Sequence, residues 1–286
     1  MNETIRRVLH FPVIKIIAGI GICFSALVVV QNFVLKPFFY SIFQDKEIAD
    51  PLIHGISMIV LLAGYYFLFR VYDKREITEL SLKFLPKELA GGFSLGFLTI
   101  SLSVFILYLL GNYQVIGITT DHYSLRLFTL LMVAALIEDL FLRGLVVREF
   151  ENWLGTNPTL IIAMLLETAH VFNENANLFS LFTDLVWGFT MAMLFVYTKR
   201  IWLPFFFHVG WNFAQPFYGS SLTGLNDMGT LIQSEFYGHE LITGGAVGIE
   251  GSVFTVIFLL SIGLTLYYLT KREGKMIIGR QAPLHL

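Results

Sequence analysis

Long apolar segments account for most of this 286-residue chain and restrict it to a membrane-spanning fold. Hydrophobic residues make up 56% of the chain and charged residues only 14%, whereas soluble domains carry about 25% charged residues. Because a helix needs about 20 residues to cross the hydrocarbon of a bilayer, the pattern predicts an all-α, polytopic membrane protein with about eight transmembrane helices in a single domain, residues 1–286. The predicted spans lie near 16–35, 52–71, 90–111, 127–147, 159–173, 178–198, 201–218 and 250–270.

Composition excludes several other classes of protein. The net charge of −2 is too small to indicate a nucleic-acid partner. The single cysteine, Cys23, permits neither a disulfide framework nor a CxxC metal site. Between the second and third spans, apolar and charged residues alternate over 72–87, which predicts an amphipathic helix lying in the membrane interface.

The distribution of Lys and Arg predicts the orientation of the chain in the membrane. Basic residues cluster before span 1, between spans 2 and 3, after span 4, between spans 6 and 7, and after span 8. Connections on the opposite side contain only Lys36, Lys46 and Arg126. Since basic residues accumulate on the cytoplasmic side, we expect both termini in the cytoplasm, in the cell membrane of a bacterium or archaeon.

The fourth span carries three ionisable residues, Glu138, Asp139 and Arg143, within an otherwise apolar run. Each costs roughly 2.5–3.5 kcal/mol to insert at the centre of a bilayer, so such groups persist where they pair or perform chemistry. Asp139 and Arg143 are four residues apart, which predicts a structural ion pair on one helix face. Glu138 points about 100° away from Asp139 in an α-helix, and we therefore expect it to be unpaired and to face a cavity.

Two more spans carry polar groups at a similar depth. His170 lies on the fifth span, with Glu167 three residues earlier as a candidate orienting partner. His208 and Asn212 are four residues apart on the seventh span, so both side chains can address one point. Counting at 1.5 Å per residue from the cytoplasmic ends places Glu138, His170 and His208 about 15, 18 and 12 Å deep. The sequence thus predicts one polar site in a cavity open to the cytoplasmic side.

These residues resemble the motifs of the CAAX prenyl endopeptidases and their bacterial relatives, the CAAX protease and bacteriocin-processing family. The stretch from Glu138 to Arg143 is similar to the EExxxR motif, with Asp139 in place of the second Glu. Leu166 to His170 is similar to FxxxH, with Leu for Phe, and His208 to Asn212 matches HxxxN. The resemblance covers a catalytic core of about 125–215.

The resemblance implies an intramembrane glutamic endopeptidase that uses no cofactor. In that family Glu138 would activate water, His170 would share its proton transfers, and His208 and Asn212 would hold the oxyanion. The implied substrate is a membrane-associated or lipid-modified peptide in the lipid bilayer. The residue types suit this chemistry independently, because a buried carboxylate is an effective general base and fixed N–H donors stabilise a developing oxyanion.

Two other functions remain open from sequence. Glu138, His170 and His208 make an acceptable zinc ligand set, although the chain has no HExxH motif. A degenerate family member or a transporter could use the same polar cluster as a scaffold or proton relay. A transporter would be expected to show two related halves, and the sequence shows no such internal repeat.

Overall fold

The computed structural model describes residues 9–119, 125–169, 175, 177–222 and 229–279. Within these ranges the chain is a bundle of helices with one two-stranded antiparallel sheet, in agreement with the predicted all-α class. In chain order the elements are α1 (Pro12–Val30), α2 (Lys36–Ile42), α3 (Lys46–Tyr72), α4 (Leu85–Leu109), β1 (Tyr113–Ile118), α5 (Leu125–Glu138), α6 (Arg148–Leu154), α7 (Thr156–Glu167), α8 (Leu178–Thr198), α9 (Trp202–Phe217), β2 (Ile232–Phe236), α10 (Glu240–Thr243) and α11 (Val253–Arg272).

Five helices in the described part of the chain are long and apolar enough to cross a membrane. They are Pro12–Ile42, in which a π-helical turn joins α1 to α2, together with α3, α4, α8 and α11. The other three predicted spans correspond to the helix that runs from α5 to α6 and to the shorter helices α7 and α9. Helices α7 and α9 have 12 and 16 residues, fewer than the roughly 20 that span a bilayer on their own.

The interfacial helix predicted over 72–87 is wrong. Helix α3 ends at Tyr72, a single 3₁₀ turn forms at Thr78–Leu80, and α4 begins only at Leu85. Three of its charged residues, Asp73, Arg75 and Glu79, make specific ion pairs. Arg75 binds the buried carboxylate of Glu79 through two nitrogens at 2.6 and 2.9 Å. The periodicity of charges therefore marked ion pairs rather than a helix lying on the membrane.

Close packing of α4 against α9 positions the helix that carries His208 and Asn212. A Cβ atom at Gly96 would lie 2.1 Å from the carbonyl oxygen of Phe207, and one at Gly210 would lie 2.2 Å from that of Phe93. Such distances leave room only for hydrogen, so glycine allows the two backbones to touch, as small residues do between membrane helices. The histidine and the asparagine are consequently held on a helix with little freedom to rotate.

The helix containing the acidic pair is not a regular α-helix. Residues Asp139–Val147, between α5 and α6, form a nine-residue π-helical segment with i→i+5 hydrogen bonding. All of its residues except Leu142 are buried. Long π-helical segments are rare and occur often at functional sites.

Candidate active site

A cavity of about 220 Å³ lies between α5, α8 and α9 and brings three predicted site residues together. Glu138, His208 and Asn212 all line it. The remaining wall is mostly apolar, with four further polar groups, and consists of Leu131, Ala134, Ala135, Ser180, Thr183, Asp184, Trp187, Trp211, Leu222, Val247 and Glu250. We call this space the site cavity.

Glu138 faces the site cavity as expected, but the prediction that it is unpaired is wrong. Arg143 donates a hydrogen bond from Nη1 to Oε1 of Glu138 over 3.1 Å. A regular α-helix turns 100° per residue, which would place residues five apart on nearly opposite sides of the helix. In the π-helical segment the turn is wider and residues five apart come close to alignment, so Arg143 reaches both acids of the pair.

Arg143 is the centre of a buried ion cluster. Its Nε lies 3.3 Å from Oδ1 of Asp139, which is the pair that the spacing predicted, and the arginine side chain is only 2% exposed. Its Nη2 also binds the carboxylate of Glu167 on α7. One guanidinium thus joins three carboxylates from two helices. The role of Glu167 as an orienting partner of His170 stays a prediction, because His170 lies outside the described residues.

Asp139 also contacts His208, a contact that the sequence argument missed. Oδ2 of Asp139 lies 3.1 Å from Nδ1 of His208, and both side chains are buried. The indole of Trp187 packs edge-on against the imidazole, with ring centroids 5.1 Å apart. The second acid of the motif thus has two roles in the structure, as an ion-pair partner of Arg143 and as a support for the histidine ring.

His170 lies outside the described residues, so its position relative to Glu138 stays a prediction. Among the described residues no three His, Cys, Asp or Glu side chains are grouped closely enough to hold a metal ion. Because His170 belonged to the zinc set considered from sequence, that alternative also stays untested.

Two further acids line the site cavity and were not assigned to the site from sequence. Asp184 comes from α8, and Glu250 comes from a 3₁₀ turn that precedes α11. Glu250 accepts hydrogen bonds from Trp211, over 3.3 Å, and from Gln215, over 2.9 Å, both on the helix of His208. In the sequence, Glu250 stands out only as an acidic residue at the start of the last predicted span, and Asp184 only as an acidic residue within the sixth.

Comparison with known proteins supports the motif resemblance. Residues 120–214 match the family model described as type II CAAX prenyl endopeptidase, Rce1-like. No curated protein and no solved structure matches the chain. The matched region contains all three motifs and every predicted site residue. The five apolar helices indicate an integral membrane protein, and about a third of the chain is similar to the Rce1-like CAAX prenyl endopeptidases.

Proposed function

We propose that this protein is an intramembrane endopeptidase that hydrolyses a peptide bond of a membrane-associated or lipid-modified peptide, with water activated by Glu138. The observation that carries the proposal is the meeting of Glu138, His208 and Asn212 in one cavity whose wall is otherwise largely apolar. Apolar walls suit a peptide or lipid chain that arrives from the bilayer, and a few fixed polar groups give the orientation that chemistry requires. The match to the Rce1-like family supports the same reaction class.

Glu138 is suited to the role of general base. Its side chain is 27% exposed, so it is open to the site cavity while its other surroundings are protein. The contact with Arg143 holds the carboxylate at the cavity wall, where an oxygen can accept a proton from water. In the proposed step Glu138 takes a proton from water, and the resulting hydroxide attacks the carbonyl carbon of the substrate. We propose that His170 shares the transfer of this proton to the departing amine nitrogen.

His208 and Asn212 are suited to hold the tetrahedral intermediate. They lie one helical turn apart on α9 and both line the site cavity. Asp139 accepts a hydrogen bond from Nδ1–H of His208, and in the imidazolium form Nε2 also carries a hydrogen that it can donate. An N–H of the imidazolium and an amide N–H of Asn212 can then both donate to the oxyanion, a contribution of roughly 10²–10³ in rate per donor.

Cleavage by the purified protein, with and without a metal chelator, tests the reaction class and the proposed absence of a cofactor. We expect single-site cleavage of membrane peptides reconstituted with the protein in lipid vesicles, detected by mass spectrometry, and the same rate after treatment with EDTA and 1,10-phenanthroline. Paired peptides with and without a farnesylated cysteine would identify the substrate class. Loss of cleavage in chelator that zinc restores would favour the zinc peptidase, and no cleavage of any peptide would favour the scaffold or transporter.

We also propose that both termini face the cytoplasm, on the basis of the Lys and Arg distribution. A reporter fused after Gly244, in the segment between β2 and α11, should then be external, and one fused after Lys275 should be cytoplasmic. Paired alkaline phosphatase and fluorescent-protein fusions measure this directly. The reversed pattern would exclude both the orientation and the opening of the site cavity to the cytoplasmic side.

A further inference from the structure

Tyr65, on α3, contacts the helix of the acidic pair from outside the site cavity. Its side chain is completely buried, and its hydroxyl oxygen lies 2.7 Å from the carbonyl oxygen of Gly144. Gly144 follows Arg143 directly and belongs to the π-helical segment. None of the three family motifs contains Tyr65, which is separated from Gly144 by 79 residues of sequence.

The π-helical segment creates a need for such a donor. Where i→i+5 hydrogen bonding returns to i→i+4, the register shifts by one residue and one carbonyl loses its amide partner. The normal α-helical donor to the carbonyl of Gly144 would be the N–H of Arg148, directly after the segment, but that N–H donates to the carbonyl of Leu145 instead. A buried carbonyl without a donor is costly, and this cost would favour return of the segment to an α-helix.

We propose that the Tyr65 hydroxyl is a positioning group that stabilises the π-helical segment and thereby keeps Arg143 aligned with Glu138. The inference rests on the proposed function only where it concerns catalysis. In an α-helix residues 138 and 143 would be about 140° apart around the axis, and the guanidinium would leave the carboxylate. Tyr65 does not line the site cavity and acts through the backbone of the segment.

A second acceptor competes for the same proton. Oε1 of Glu79 also lies 2.7 Å from the Tyr65 hydroxyl, which has one hydrogen to donate. Burial opposes ionisation of Glu79, but Arg75 and Arg148 outweigh burial and lower the pKa of Glu79, so it is a carboxylate at neutral pH. The hydroxyl proton is therefore shared between Glu79 and Gly144 in a three-centre bond. Glu79→Gln replaces the charged competitor by a weaker, neutral acceptor and leaves the hydroxyl available to the carbonyl of Gly144.

Three variants test whether the hydrogen bond from Tyr65 to the carbonyl of Gly144 positions the site or whether Tyr65 only stabilises the fold. Tyr65→Phe removes only the hydroxyl and keeps the ring, which packs 4.8 Å from that of Phe69. Glu79→Gln keeps the hydroxyl, and Tyr66→Phe makes the same chemical change at the neighbouring, 42% exposed tyrosine. We expect only Tyr65→Phe to lower kcat, by about 10- to 100-fold with KM nearly unchanged, and to accelerate amide hydrogen exchange in the 139–147 peptide by about tenfold or more.

Each other outcome has a defined meaning. Unchanged kcat and exchange in Tyr65→Phe would overturn the proposal, and so would an equal defect in Glu79→Gln, since Tyr65 would then act through its ion-pair neighbours. If the unmodified protein cleaves no peptide, the proposed function fails and exchange alone tests the positioning role. If Tyr65→Phe does not accumulate, exchange in the unmodified protein is measured instead: protection of 139–147 equal to that of α5 supports the proposal, and faster exchange overturns it.

Discussion

Replacing Glu138 by Gln should lower the rate of peptide cleavage by about 10²–10⁴-fold, the usual loss when a general base is removed. Glutamine has nearly the same shape and keeps an acceptor oxygen for Nη1 of Arg143, but it cannot take a proton from water. The folded state should be little affected, because Arg143 retains the carboxylates of Asp139 and Glu167. We therefore expect a melting temperature in detergent within about 3 °C of the parent protein.

Two companion variants make this measurement decisive. Glu47→Gln is the matched control, since Glu47 is 50% exposed and far in sequence from the site, and it should cleave at the parental rate. Asp139→Asn should destabilise the protein more than Glu138→Gln, because Asp139 is completely buried and contacts both Arg143 and His208. If Glu138→Gln cleaves like the parent while Asp139→Asn is stable and inactive, the roles of the two acids are reversed.

Replacing Arg143 by Ala should reduce the amount of folded protein more than any other single substitution at the site. The change removes the guanidinium that contacts the buried carboxylates of Asp139 and Glu167, and it also removes the contact of Arg143 with Glu138. Breaking one buried ion pair costs about 3–5 kcal/mol, a large part of a total stability of about 5–15 kcal/mol. We expect low abundance in membranes and a strongly lowered melting temperature for any protein that is recovered.

A surface arginine provides the comparison. Arg126 binds Asp50 over 2.6 Å but is 46% exposed, so Arg126→Ala should cost at most about 1 kcal/mol and leave abundance unchanged. Arg143→Lys should rescue only partly, because one ammonium group cannot reach three carboxylates with the geometry of a guanidinium. Normal abundance of Arg143→Ala with complete loss of cleavage would instead place Arg143 among the groups that act on the substrate.

The sequence by itself determined the class of the protein and the types of residue at its site. Runs of apolar residues of membrane length can be read directly from the sequence. Within one such run, Glu138, Asp139 and Arg143 stood out because charged groups are costly to bury in a membrane. The spacing of four residues correctly placed Asp139 against Arg143 and put His208 and Asn212 on one cavity wall. These inferences succeed because they depend only on local order and on the average geometry of a helix.

The tertiary structure decided which groups touch. The contact of Asp139 with His208 joins residues 69 positions apart, and Glu250 reaches the cavity from a turn whose path no periodic pattern encodes. Glu138 was predicted to be unpaired but contacts Arg143, because the chain departs from 3.6 residues per turn over Asp139–Val147. Tyr65, which comes from another helix, donates a hydrogen bond to the carbonyl of Gly144 within this segment. Local sequence specifies the average helix, whereas packing selects the exceptional turn on which this site is built.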